Sequence, residues 1–408
     1  LPLGIYIKSG DFKIIVCYNR KVQINIECCL ESEDYFMKKI YRWAVLLFSS
    51  TMLFVSCGKE KDEASTSIPV IEMPDQPAST SSGAVSQEPE EDVREGMTRS
   101  VLTNQWIDES LKDQRPVAVM INNIEAALPQ SGIGKAGVMY EAPVEGGLTR
   151  LLAVIDDWAS LGELGPVRSC RLYYVYFALE WDAIYAHFGG PELYVKEILS
   201  EDYVHNLDGL ELEGTAYHRR SRPGVSKEHT AYTSGEELLK GLEKKGYSMT
   251  YTGNYEGPHY QFASEDNPVD LSSSTGVQDA VHVEPGYSIN KPYFEYHEED
   301  GLYYRYQYGK PHIDEATGEQ LAYKNILLQT TYSVSLDAKG YLGFKNHDTT
   351  LGGYYITGGK AIPVTWEKTT DFGPTKYFDQ DGNEINLNTG KTFICIIQES
   401  AENRVVIR

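Results

Sequence analysis

The sequence predicts an α/β domain followed by a smaller, mostly-β domain. Two observations carry this. Between residues 100 and 263, short β-rich runs alternate with longer apolar runs, the pattern of strands interleaved with helices. After Ala280 the helical runs vanish, and Tyr-, Ile- and Val-rich segments are joined through glycine turns. The polar stretch SEDNPVDLSSSTGVQDA separates the two and reads as a linker, so the expected boundaries are 100–263, 264–280 and 281–408.

In the first domain, RPVAVMINN, GVMYEAPVEGG, LTRLLAVIDDW and DAIYAHFGG predict strands. SCRLYYVYFALEW, PELYVKEIL and GEELLKGLEKKG predict helices. In the second, PYFEYHEEDGLYYRYQYG predicts a hairpin about Asp300-Gly301 and GGYYITGGKAIPVTWEK another about Gly358-Gly359. TKYFDQDGNEINLNTGKTFICIIQ predicts a third about Asp381-Gly382, followed by a terminal strand. Many of the 30 tyrosines fall on these strands, where alternating aromatics form one face of a sheet core.

The longest apolar run, WAVLLFSSTMLFVS, spans residues 43–56 and follows Lys38, Lys39 and Arg42. It is short of the about 20 residues of a bilayer span and has the length of a signal-peptide core. Leu53-Phe54-Val55-Ser56-Cys57 resembles the lipobox of bacterial lipoproteins, which makes Cys57 the expected lipidated N-terminus. Residues 37–56 are then a signal peptide starting at Met37, and 1–36, with Cys17, Cys28 and Cys29, upstream translation. Cys170 and Cys395 remain, either as one disulfide or as two buried thiols. Residues 57–99 are rich in Ser, Pro, Glu and Asp with few large apolar residues, the composition of a disordered acidic tether.

The chain holds 37 Lys/Arg against 59 Asp/Glu, a formal charge of −22. Residues 1–56 carry seven Lys/Arg and five Asp/Glu, so removing them leaves −24. Such a field repels polyanions at long range, which excludes nonspecific nucleic-acid binding but leaves room for a local basic site.

The blocks RPVAVMINNIEAALPQSGIGKAGVMYEAPVEGGLTRLLAVI, LGPVRSCR, YAHFGG, LDGL, HTAYTS, GKPHIDEATGEQLAYKN, AIPVTWEK and TKYFDQDGNEINLNTGKTFI resemble the YerB-like lipoproteins of bacteria. The resemblance spans nearly all of residues 100–398. It implies export and paired domains of unknown function, α/β then β-rich, and supplies no catalytic residue.

Candidate chemistry centres on ELGPVRSCRLYYVYFALEWDAIYAHFGGPELYVKEIL. Gly165-Pro166 and Gly189-Gly190-Pro191 each lead toward a helix, whose first N–H groups favour anions. Arg168 and Arg171, three apart on the expected first helix, share a face and with Arg150 could clamp a phosphate or carboxylate. The structural alternative pairs these arginines with Glu141, Glu145 and Asp156. His187 ends a strand, where open α/β sheets place ligands, although a lone histidine there also serves as a core residue. YHRRSRPGVSKEH concentrates Arg219, Arg220, Arg222 and Lys227 as either a basic cleft or a neutralised loop. No CxxC, HExxH, Walker loop or SxxK set follows Cys57, so neither a metal nor a cofactor is expected.

The reading is therefore a lipid-anchored extracytoplasmic binding or scaffold protein with a cleft for an anionic cell-envelope ligand. The alternative is an envelope glycan or phosphodiester hydrolase or transferase using Glu141, Glu145, Asp156 or His187 as acid and base; the sequence leaves enzymatic activity open. For the anchor, Cys57→Ser is expected to abolish metabolic labelling with a fatty-acid analogue, and labelling that persists in the variant contradicts the assignment.

Overall fold

In the computed structural model of the protein, the described residues are 94–408 except 348 and 350, with the backbone of three strands near the start. Those three, Ile5–Tyr6, Ile14–Tyr18 and Val22–Ile26, pair as an antiparallel meander within a unit of residues 1–87, and residues 88–408 form a second unit. The rest of the expected upstream segment 1–36, the signal peptide 37–56, Cys57 and the tether as far as residue 93 lie outside the described residues.

The second unit is mostly strand with few helices. In chain order its main elements begin with β1 (Val117–Asn122), β2 (Val138–Pro143), β3 (Thr149–Ile155), α1 (Leu172–Leu179), β4 (Ile184–His187), α2 (Glu192–Leu199) and β5 (Asn206–Asp208). They continue with α3 (Gly209–Leu212), α4 (Gly235–Lys245), β6 (Gln278–Asp279), β7 (His282–Glu284), β8 (Tyr293–His297) and β9 (Leu302–Gln307). The last are β10 (Asn325–Thr331), β11 (Gly352–Thr357), β12 (Lys360–Glu367), β13 (Lys376–Phe378), β14 (Thr392–Gln398) and β15 (Val406–Ile407).

One 11-stranded sheet runs through both halves in the order β5-β4-β1-β3-β2-β14-β10-β11-β12-β6, with β13 also on β12. The seam between the halves is parallel: Val138 to Glu141 of β2 face Thr392 to Cys395 of β14. TFICIIQ carries apolar residues on both sides, so this terminal strand belongs where both faces are covered. It lies at the centre, between β2 and β10. Alternation divides the inner strands into two layers. Val117, Val119, Ile121, Met139 and Phe393 pack with Leu238 and Leu242 of α4 and with Phe294 and Tyr303 of a second sheet built on β9-β8-β7-β15. Ala118, Met120, Tyr140 and Ile394 pack on the opposite face with Tyr173, Tyr174 and Phe177 of α1.

Residues 264–280 follow the sheet margin: Leu271 is buried and β6 pairs with β12. The hairpins about Asp300-Gly301 and Gly358-Gly359 form as β8-β9 and β11-β12. About Asp381-Gly382 a short hairpin forms, with Phe378 opposite Glu384, after which Asn386–Leu387 pairs with Gln261–Phe262. Cys170 and Cys395 are both buried free thiols.

One expectation fails locally. Arg168 and Arg171 do not share a helix face, because the helix starts only at Leu172 and Arg171 is its extended N-cap residue, with φ −138° and ψ 152°. Leu164–Arg168 is drawn out as extended chain: Leu164 N–H donates to Thr233 O at 2.7 Å, Val167 N–H to Ala231 O at 2.7 Å and Arg168 N–H to Met120 O at 2.8 Å. Backbone pairing with two neighbouring segments outweighs the helical pattern of the side chains.

Candidate functional site

Glu141 stands in the middle of β2, flanked by β3 and β14, and is fully buried. Its partner is Arg305 of β9, also fully buried, with Nη2 donating to Oε2 at 2.6 Å. The other carboxylate oxygen accepts from Thr149 Oγ1 at 2.7 Å, Asn290 Nδ2 at 2.7 Å and Asn123 Nδ2 at 3.1 Å. Arg305 Nη1 donates to His312 Nδ1 at 2.5 Å, which makes Nε2 the protonated nitrogen, and that donates to Gln130 Oε1 at 2.8 Å. Gln130 closes the chain by donating to Asn122 O at 3.0 Å and Asn123 Oδ1 at 3.2 Å. Burial, then the Arg305 charge, pushes His312 well below its ordinary range, so it is held neutral. Glu141 is thereby a sealed tie between the halves. Arg305 escaped the sequence reading because one arginine in LYYRYQ looks like an outward residue of an alternating strand.

The candidate arginines do come together, at the carboxyl ends of β1, β2 and β4. Arg171 grips Glu145 through Nε at 2.9 Å and through a second, shorter bond from Nη2, and its Nη1 donates to Cys170 O at 2.6 Å. Arg150 lies 3.8 Å from Glu145 and donates to Ser169 O at 2.5 Å. Burial and then the neighbouring Arg171 charge lower its pKa to about 10. Arg168 reaches Glu228 at 2.7 Å. Burial works to raise the Glu145 pKa, but the bonds and charges of Arg171 and Arg150 outweigh it and hold the carboxyl below its usual range. Of the expected carboxylate partners only Glu145 pairs with these arginines. Asp156 lies just past the other end of β3 from Arg150 and accepts from Ser100 Oγ at 2.5 Å, so it belongs to a different edge.

His187 is fully buried, with Nδ1 3.0 Å from Gly189 O and Nε2 3.4 Å from Asn206 Oδ1. Burial lowers its pKa. Gly189 has φ +69°, its N–H donates to Asp208 Oδ1 at 2.7 Å, and its carbonyl also accepts from Cys170 N–H. A Cβ on Gly190 would collide with Cys170 Sγ. These glycines thus hold the Cys170 loop against the sheet. Burial pushes the Cys170 thiol up to about 12, far from a reactive thiolate. The basic loop is neutralised in part: Arg219 pairs with Glu213 and Arg220 with Glu163 and Glu315, whereas Arg222 donates to Ala127 O and Leu128 O and, among the described residues, Lys227 has no carboxylate within salt-bridge distance.

A wide opening lies at the other edge, near the starts of β2, β10 and β14. This cleft, of about 820 Å³, is lined by Lys135, Lys324, Lys391, Tyr304, Asp300, Asp314 and Glu319 among others. Among the described residues none of the three lysines has a carboxylate partner within salt-bridge distance. Lys324 Nζ is 3.3 Å from Gly301 O, and Lys391 donates to Gly134 O at 2.5 Å. Burial, then the Lys135 charge, lowers the Lys391 pKa. Two of the acids are already engaged. Asp314 accepts from the N–H groups of Gly132, Gly134 and Ala316 at 2.7–2.9 Å, and Asp300 from Tyr304 Oη at 2.7 Å. Sequence reasoning missed this cleft because its lysines come from three distant turns.

Residues 102–248 match the N-terminal domain, and 281–394 the C-terminal domain, of the protein of unknown function DUF3048. A protein of Bacillus subtilis (strain 168), designated a candidate lipoprotein YerB, is 29% identical over 314 residues, covering 74% of this chain and 86% of its own. The crystal structure of the Bacillus subtilis YerB protein superposes with a TM-score of 0.63 at 26% identity, covering 76% of this chain and 99% of that one. The chain belongs to the YerB-like lipoprotein family. Both domains of this family contribute strands to the single sheet, which meet at the β2-β14 seam.

The sealed network predicts a pH dependence. His312 is neutral in the fold but takes up a proton below about 6.5 once unfolded. Its folded pKa is depressed, so its stabilising contribution is present above about pH 6.5 and is lost as pH falls below it, at up to about 1.4 kcal/mol per pH unit. His312→Gln keeps an acceptor and a donor without titrating. The melting temperature is expected to fall less between pH 7 and 5 in this variant than in the parent, and equal slopes contradict the role.

Proposed function

We propose that this family member is a lipid-anchored extracytoplasmic binding protein that takes an anionic ligand. Its anchor is Cys57, the residue that closes the export signal, and a lipoprotein name borne by a relative over 74% of the chain supports that reading. The observation that carries the ligand is the lysine cleft: three lysines that, among the described residues, sit in no salt bridge line about 820 Å³ in a chain of net charge −22, and of the three carboxylates beside them Asp314 and Asp300 are held by the protein's own donors. In so acidic a chain, ammonium groups that no carboxylate holds in a salt bridge are the favoured contacts for an anion.

The arginine edge is the competing place, with Arg150, Arg168 and Arg171 facing Glu145 and Glu228. There all three arginines already sit in salt bridges with the two carboxylates, and the most open pair, Arg168 with Glu228, is of the surface kind worth about 0–1 kcal/mol. A hydrolase built on the sequence-derived acids is poorly served. Glu141 and His187 are sealed from substrate, and Asp156 is remote from both.

Titration with inorganic phosphate at low salt separates the two edges. Lys135 is exposed, so Lys135→Gln is expected to weaken binding by about 1.5–3 kcal/mol with little change in melting temperature, while Arg168→Gln leaves binding intact. Phosphate binding lost in Arg168→Gln and kept in Lys135→Gln would move the site to the arginine edge. A parent protein that binds none refutes the reading.

A further inference from the structure

We infer that the ligand of this cleft is an extended polyanion, carrying two or more phosphate or carboxylate groups and laid across Lys324; the inference rests on the cleft being the binding site. Size is the first argument. About 820 Å³ is the scale of a site for a ligand of many atoms, far beyond a single phosphate ion. The cleft also continues. A second opening of about 570 Å³ shares Gln105, Lys324 and Thr389 with the first and is lined further along by Arg94 and Trp106.

Lys324 is built into the boundary between the two. Gly390, with φ +140°, leaves no Cβ where the Lys324 stem passes, since one would lie 2.7 Å from Lys324 Cβ. Gly301 likewise leaves room for the ammonium, which a Cβ there would approach to 2.9 Å. A side chain normally costly to immobilise is therefore seated in advance. Beyond it, Arg99 stacks over the Trp106 ring at 3.9 Å with its charge met by Glu265 at 2.5 Å, and Arg94 lies 5.0 Å from the same ring. Lysines thus succeed one another along the path from Lys135 and Lys391 to Lys324, where the second opening begins, with Glu265 on its wall. Of the acids lining the first opening, Asp314 and Asp300 are bound to the protein's own donors, whereas Glu319 is exposed at its wall and opposes an anion. Glu319 accordingly weakens every anion, most of all one that places the most charge beside it.

The test uses the full chain in detergent, titrated calorimetrically at low salt with phosphate, pyrophosphate and tripolyphosphate, and with citrate. Affinity is expected to rise with anion length, on the order of tenfold for each added group that meets a lysine. Lys324→Gln is expected to remove most of the gain from pyrophosphate to tripolyphosphate without shifting the melting temperature. Glu319→Gln is expected to tighten tripolyphosphate, an effect that a purely structural role for Glu319 does not produce. Citrate matching or trailing tripolyphosphate supports the polyanion in either case and tells carboxylate from phosphate. Tripolyphosphate binding no tighter than phosphate, or a length dependence unchanged in Lys324→Gln, overturns the inference while leaving the cleft as an anion site. Failure of every anion to bind overturns both.

Discussion

Buried ion pairs tie the two halves of the chain together, Glu180 with Lys368 on one side of the sheet and, at its seam, Glu141 with Arg305. Glu141 and Arg305, both fully buried, meet at 2.6 Å across the junction between the two halves of the chain. Removing two charges from water costs several kcal/mol per ion, recovered only when geometry is good and the remaining lone pairs are filled. Thr149, Asn290 and Asn123 fill those of Glu141, and His312 accepts from Arg305. The strand register follows from this. Glu141 reaches Arg305 only if β2 presents that face, and β2 then sets β14 beside it with Cys395 opposite Glu141.

From that seam the sheet extends both ways, and the two ends of its strands differ in how their charges are paired. At the carboxyl ends of β1, β2 and β4, all three arginines sit in salt bridges with two carboxylates, and glycines 189 and 190 press the Cys170 loop onto the sheet. At the opposite end Lys135, Lys324 and Lys391 line the wide cleft outside any salt bridge among the described residues, Lys135 exposed and the other two half-buried, with Asp300, Asp314 and Glu319 beside them. The usual rule for open α/β sheets directs attention to the carboxyl edge. Here the antiparallel strand β3 sits between β1 and β2, and the wide cleft opens at the other end.

Much of the strand content was legible because periodicity and turn residues are local: RPVAVMINN, LTRLLAVIDDW and the Asp300-Gly301 and Gly358-Gly359 hairpins fall where their patterns put them. What escaped was non-local. SCRLYYVYF reads as helix from its first residue, yet the helix begins only at Leu172, because the chain before it is drawn into extended pairing, Arg168 with Met120, which no local pattern records. Arg305 and Glu141 are 164 residues apart, and the cleft lysines lie on three separate turns. The gathering of Arg150, Arg168 and Arg171 was legible from their shared segments, but their neutralisation by Glu145 and Glu228 required the fold.

The central claim is that both halves form one cooperative unit held through Glu141 and Arg305. Scanning calorimetry of the full chain beside an Arg305→Met variant tests it directly, because the variant strands the Glu141 carboxylate in the interior. The account predicts a single transition for residues 88–408, displaced as a whole in the variant by about 3–5 kcal/mol of lost stability. Two transitions, of which only one moves in the variant, would contradict it.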